Sequence, residues 1–141
     1  MIYLWVALGS AIGGVLRYAI SRAMEPVSQG LPWGTIVVNI AGCFVIGFFG
    51  TLTLQGSRYA VPEATRIFVM VGICGGFTTF SSFSLQTFNL IRSGDWLRAL
   101  SNVLVSVVFC LLAVAAGHHL AQRSVGPRAA VVQTEEEELT G

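Results

Sequence analysis

The sequence predicts an all-α membrane protein: four transmembrane helices, the third broken near its middle, assembled as an antiparallel dual-topology homodimer. Three observations carry that prediction. Hydrophobic residues make up 54% of the chain and charged residues 11%. Apolar runs long enough to cross a bilayer, which takes about 20 residues, occur four times, at roughly 2–23, 33–54, 66–91 and 96–121. Finally, arginines are spread almost evenly over the two sides that such a topology defines.

The first run follows Met1 without a basic leader region and continues past signal-peptide length, so it is expected to be a retained helix. The connection to the second run holds Glu25-Pro26 and Gly30-Leu31-Pro32. The next holds Gln55-Gly56-Ser57-Arg58 and Pro62, and the third is the tight Arg92-Ser93-Gly94-Asp95. Such short connections impose an up-down-up-down order. The runs consume most of residues 1–123, which are expected to form one transmembrane domain. Residues 124–141 carry Gly126-Pro127 and the acidic run Glu135 to Glu138, a composition that predicts a solvated, disordered tail.

The third run contains the most informative segment, Gly75-Gly76-Phe77-Thr78-Thr79-Phe80-Ser81-Ser82-Phe83-Ser84. Adjacent glycines weaken a helix, and five hydroxyl residues follow within a few positions. In a bilayer, irregular backbone is tolerated only where protein covers it or a polar cavity adjoins it. The segment therefore reads as a functional centre that handles a small ion.

All eight basic residues are arginine. Arg58, Arg66, Arg123 and Arg128 fall on the side of the termini. Arg22, Arg92 and Arg98 fall on the other, with Arg17 just inside the first helix. Orientation is normally set by an excess of basic residues on the cytoplasmic side, and here there is almost none. A weak bias giving one topology and insertion in both directions both fit. Four helices enclose a pathway poorly, which favours the second: two inverted copies related by a twofold axis in the membrane plane.

No Asp or Glu lies within the four runs, whereas proton-coupled transporters usually carry an intramembrane carboxylate or histidine. His118 and His119 lie near the end of the last run and read as interfacial. Cys43, Cys74 and Cys110 sit on three different helices and read as small packing residues. No nucleophile–base pair suggests an enzyme, and no ligand spacing suggests a metal centre. What remains is neutral donors at helical spacing: Thr35 and Asn39, continued by Gly42 and Cys43; Thr79, Ser82, Gln86 and Asn89; Asn102 and Ser106, followed by Cys110. Each set shares one helix face. Either these are interhelical hydrogen bonds, or they replace the hydration of a small anion without trapping it. Phe80 and Phe83 either pack or present positive ring edges to that anion. Gly9/Gly13, Gly72/Gly76 and Ala113/Gly117 have the spacing that lets membrane helices approach closely.

Three motifs together resemble the Fluc/CrcB fluoride channel family. GGFTTFSSFS is similar to its third-helix signature, Gly34–Gly42 (GTIVVNIAG) to its second-helix motif, and Gly9–Tyr18 (GSAIGGVLRY) to its first. The resemblance implies a passive channel for fluoride export, built as a dual-topology dimer with two antiparallel pathways in a bacterial inner membrane. Its partners would be fluoride, an inverted second copy and the lipid bilayer, with no nucleic acid. It implies that Asn39 donates to fluoride, that Phe80 and Phe83 present ring edges, and that Ser106 is the fourth-helix polar position. Thr79, Ser81 and Ser82 would supply hydroxyls near the break, and Arg17 would stand at the aqueous vestibule. A structural, untransported sodium ion would be held by the main-chain carbonyls of Gly75 and Thr78. Ser82 replaces the commoner threonine and keeps its hydroxyl; Cys110 stands where a polar residue is frequent. The rival readings are a small dual-topology, proton-coupled multidrug exporter, which needs a glutamate on the first helix, and a structural subunit without transport.

Overall fold

The computed structural model describes residues 1–125 apart from 55, 56 and 58. The expected acidic tail, with Arg128, and most of the Gln55–Arg58 turn lie outside the described residues. Among those described, four helical spans are long and apolar enough to cross a membrane. The first is α1, Ile2–Ala23, and the second is α2, Trp33–Leu52. The third is assembled from α3 (Glu63–Ile67), a π-helical turn (Phe68–Cys74), α4 (Gly75–Phe77) and α5 (Phe80–Arg92). The fourth is α6, Trp96–Val125.

The helix ends follow from local chemistry. Pro62 is the N-cap of α3 and Glu63 lies in its first turn, where a carboxylate complements the helix dipole. The span therefore begins three residues before the expected Arg66. Thr53 returns its hydroxyl to Phe49 O at 2.7 Å, closing α2 at Leu52 rather than at the expected Leu54. At the end of α5, Gly94 adopts φ +82°. Its N–H reaches Ile91 O at 3.0 Å while Asp95 N–H reaches Leu90 O at 2.9 Å. This paired closure requires a left-handed residue, which glycine supplies without strain. Asp95 then leads into α6 and pairs with Arg98 at 3.1 Å. α6 continues to Val125, past the expected boundary at 121.

Two seams hold the spans together. α1 lies against the π-turn and α4, where glycines replace side chains. A Cβ on Gly9 would come within 2.6 Å of Phe68 O, and one on Gly76 within 2.8 Å of Ser10 Cα. The paired glycine spacings expected from sequence thus face each other across this seam. The second seam joins α2 to α6. Gly117 lies against the backbone of Phe44 and Phe48, and Gly47 against Val114. Gly47 is a partner that the sequence reading did not single out.

Candidate ion pathway

The third span breaks at Thr78-Thr79. Thr78 has φ −81° and ψ 158°, and Thr79 has φ −152° and ψ 112°, both extended. The adjacent glycines, expected to be the weak point, remain helical in α4. The threonines interrupt the helix because each offers the backbone another partner. Thr78 N–H and Thr78 Oγ1–H both donate to Cys74 O at 2.9 Å, ending α4. Thr79 Oγ1 accepts from Ser82 N–H at 3.2 Å, capping α5, and donates to Ser82 Oγ at 3.0 Å. Ser81 Oγ lies 3.2 Å from the same oxygen.

α2 supplies the bracket that holds the extended residues. Asn39 Oδ1 accepts from Thr79 N–H at 2.7 Å, and Asn39 Nδ2–H donates to Thr79 O at 3.1 Å. One side-chain amide thus satisfies both main-chain groups of a buried residue, which would otherwise be costly to leave unpaired. One amide hydrogen of Asn39 is left over. Three residues on, Gly42 sits directly beneath Thr78 Cγ2, and any larger residue would push the break away from α2.

The break also frees carbonyls. In an unbroken helix Thr79 N–H would reach Gly75 O and Ser82 N–H would reach Thr78 O. Here the first goes to Asn39 and the second to Thr79 Oγ1. Gly75 is exposed, with open space where a Cβ would stand.

Beside the break lies a groove of about 420 Å³. It brings together Asn39, Thr79, Phe80, Phe83 and Ser106 with Gly75 and Thr78, and no lining residue is charged. Phe80 is 78% exposed, and its ring centroid lies 5.4 Å from that of Phe83 at an interplanar angle of 47°. Ser106 Oγ is buried without a hydrogen-bond partner among the described residues. Ser81 and Ser82 join through Thr79 rather than by lining the groove.

A second, wider cavity of about 660 Å³ lies at the α1–α2 connection. Thr35, Gln86 and Asn89 line it with Tyr18, Ser21 and Ser93. Arg22 and Glu25 form an exposed ion pair on its wall. Arg17 is half-buried on α1 and lines neither cavity. Between the cavities, Asn102 is fully buried and donates from Nδ2 to Thr87 Oγ1 at 2.8 Å. Its Oδ1 and Gln86 Oε1 have no partner among the described residues. Gln86 and Asn102 were visible in sequence only as members of polar stripes. Their unmet hydrogen-bonding capacity emerges from the packing.

Four apolar spans around a bracketed, uncharged break define a multi-pass, all-helical membrane protein with a polar interruption at membrane depth. The family described as CrcB-like protein, Camphor Resistance (CrcB) matches residues 4–118. A fluoride-specific ion channel FluC of Methylocella silvestris is 54% identical over 122 residues, 86% of this chain and 93% of that protein. The FluC of Methylobacterium radiotolerans is 52% identical over 133 residues, 94% of this chain and 93% of its own length. That of Paramagnetospirillum magneticum is 59% identical over 117 residues, covering 82% and 91%. The chain belongs to the CrcB family, and the relatives' names describe ion channels rather than enzymes.

Proposed function

We propose that this chain is a passive, fluoride-selective ion channel that lets fluoride leave the cytoplasm across a bacterial inner membrane. The observation that carries the reading is the groove, which gathers Asn39, Thr79, Phe80, Phe83 and Ser106 without a fixed charge. The names of relatives that are more than half identical support it. Fluoride binds its water tightly, so a pore must replace that water with close donors and still release the ion. The spare amide hydrogen of Asn39 and the unpartnered Ser106 hydroxyl are such donors. The Thr79–Ser81–Ser82 hydroxyl group adds more at the break, and the edges of Phe80 and Phe83 present the positive end of the ring quadrupole. Arg17 lines neither cavity, and as the neighbour of the cavity-lining Tyr18 it adds positive charge that favours anions on that side. Fluoride enters cells as the neutral acid and is trapped inside as the anion; an inside-negative potential then drives it out.

The working unit is two inverted copies, each with its own route. The nearly balanced arginines and the exposed Phe80 and Gly75 support that assembly. The freed carbonyls of Gly75 and Thr78 are hard oxygen ligands suited to sodium, and two copies would present four. When bound there, sodium supplies a fixed positive charge at the centre of the assembly. The exporter reading requires a membrane-embedded glutamate. α1 has none, and Glu63 stands at the very start of its span.

The test is efflux from potassium fluoride-loaded liposomes, read with a fluoride electrode on addition of valinomycin, beside the particle mass in detergent. Fast valinomycin-dependent fluoride release with little chloride release, from a two-chain particle, is the expected result. Absent fluoride release would sink the channel reading, and full release from a verified single chain would sink the paired assembly.

A further inference from the structure

The three cysteines converge on one groove. α2 and α6 run side by side in a fixed register, in which Thr51 meets His118 across a sequence separation of 67. Gly47 meets Val114 at the same separation, and Cys43 and Cys110, also 67 apart, fall one turn earlier on the same two helices and line the same groove. Steps of four residues on both helices keep these pairs on one seam. Cys43 and Cys110 therefore face each other one turn along from Asn39 and Ser106, and all four line the groove. Both thiols are free and half-buried. The anion route makes no use of them, because a thiol is a weak donor.

Thiols opposed across a helix seam are instead good ligands for soft cations. Among the described residues no three His, Cys, Asp or Glu side chains gather closely enough to hold a metal. A tetrahedral structural zinc needs four such ligands, whereas a two-coordinate d10 ion needs only the pair. We propose that Cys43 and Cys110 form a two-thiolate site for a soft cation of the copper(I) class. On binding, each S–H bond breaks and an S–metal bond replaces it. Two protons pass to water and no electron moves. The complex carries a net charge of minus one, in a groove whose walls are neutral and partly hydrogen-bond donating. The assignment rests on the α2–α6 register and not on the fluoride reading, so it stands or falls without a flux measurement.

The test is titration of the purified full chain with copper(I) buffered by a chromophoric chelator, in a non-thiol reductant. Wild type and Cys74→Ser should each take one copper(I) per chain, with two sulfur neighbours by X-ray absorption. Cys43→Ser and Cys110→Ser should each bind about 10²–10⁴-fold more weakly, because the second sulfur acts through its effective concentration. Cys43→Ala and Cys110→Ala, checked for unchanged elution, guard against a folding defect in the serine variants. Undiminished affinity in either single variant, or binding that disappears with Cys74→Ser, overturns the site.

Discussion

The two halves of the third span meet their neighbours in opposite ways. The first half, through the π-turn and α4, meets α1 backbone to backbone, with Gly9 and Gly13 set against Gly72 and Gly76. No side-chain hydrogen bond crosses that seam among the described residues. The second half, α5, meets α6 through polar side chains, and three buried atoms there have no partner among the described residues: Gln86 Oε1, Asn102 Oδ1 and Ser106 Oγ. A seam built for stability leaves no polar group wanting. Buried polar groups without partners are costly, and this surplus beside a groove is the feature on which the proposed ion route rests.

Substitution at the glycine seam has the largest expected effect. A side chain at Gly13 would press on backbone atoms, including Phe77 N at 2.8 Å, which cannot move aside as a flexible side chain would. Gly13→Val should cost about 1–3 kcal/mol or more and abolish monodisperse protein in size-exclusion chromatography. A well-behaved, fully active variant would show that the seam is looser than described. At the bracket, Asn39→Ala strips partners from Thr79 N–H and C=O, each worth about 1–3 kcal/mol when buried and unpaired. Thermal unfolding in detergent should fall accordingly, with reduced fluoride flux in the surviving folded fraction. Unaltered stability would mean that the break is held by its threonines alone. The mildest change is Thr87→Val, which keeps the shape and removes the acceptor of Asn102 Nδ2. Interhelical bonds of this kind are worth about 1 kcal/mol or less, and a larger loss would make the α5–α6 contact structural after all.

The spans were legible because four apolar runs and breaker-rich turns leave few alternatives. The polar stripes were legible too, because helical spacing groups residues on a face. Their destinations were not. Thr79 and Asn89 stand about 15 Å apart along a helix at 1.5 Å per residue, so one stripe serves two cavities. Asn39 fitted either an interhelical hydrogen bond or an ion donor in sequence, and half of its hydrogen-bonding capacity goes to Thr79. Pairing between a side-chain amide and main chain forty residues away leaves no mark on local pattern. The break was expected near the middle of the third run, with the adjacent Gly75-Gly76 weakening the helix. Gly76 instead provides close approach to α1, while the threonine hydroxyls compete for the backbone. The Cys43–Cys110 pair was hidden for a similar reason: helix register between distant spans is set by packing, here by Gly47 and Gly117.

In the proposed channel the unpaired donors beside the break serve the ion. Fluoride flux through reconstituted Ser106→Ala tests this role most directly. The serine hydroxyl is buried and has no partner among the described residues, so its removal takes none of their hydrogen bonds away, and stability should be unchanged or slightly raised. A hydrogen bond to a charged group is worth about 1.5–3 kcal/mol, so losing it along the route should slow fluoride about tenfold or more. A stable variant with that slowed flux is the predicted result. A stable variant carrying fluoride at the wild-type rate would contradict the account and return the polar seam to a structural role.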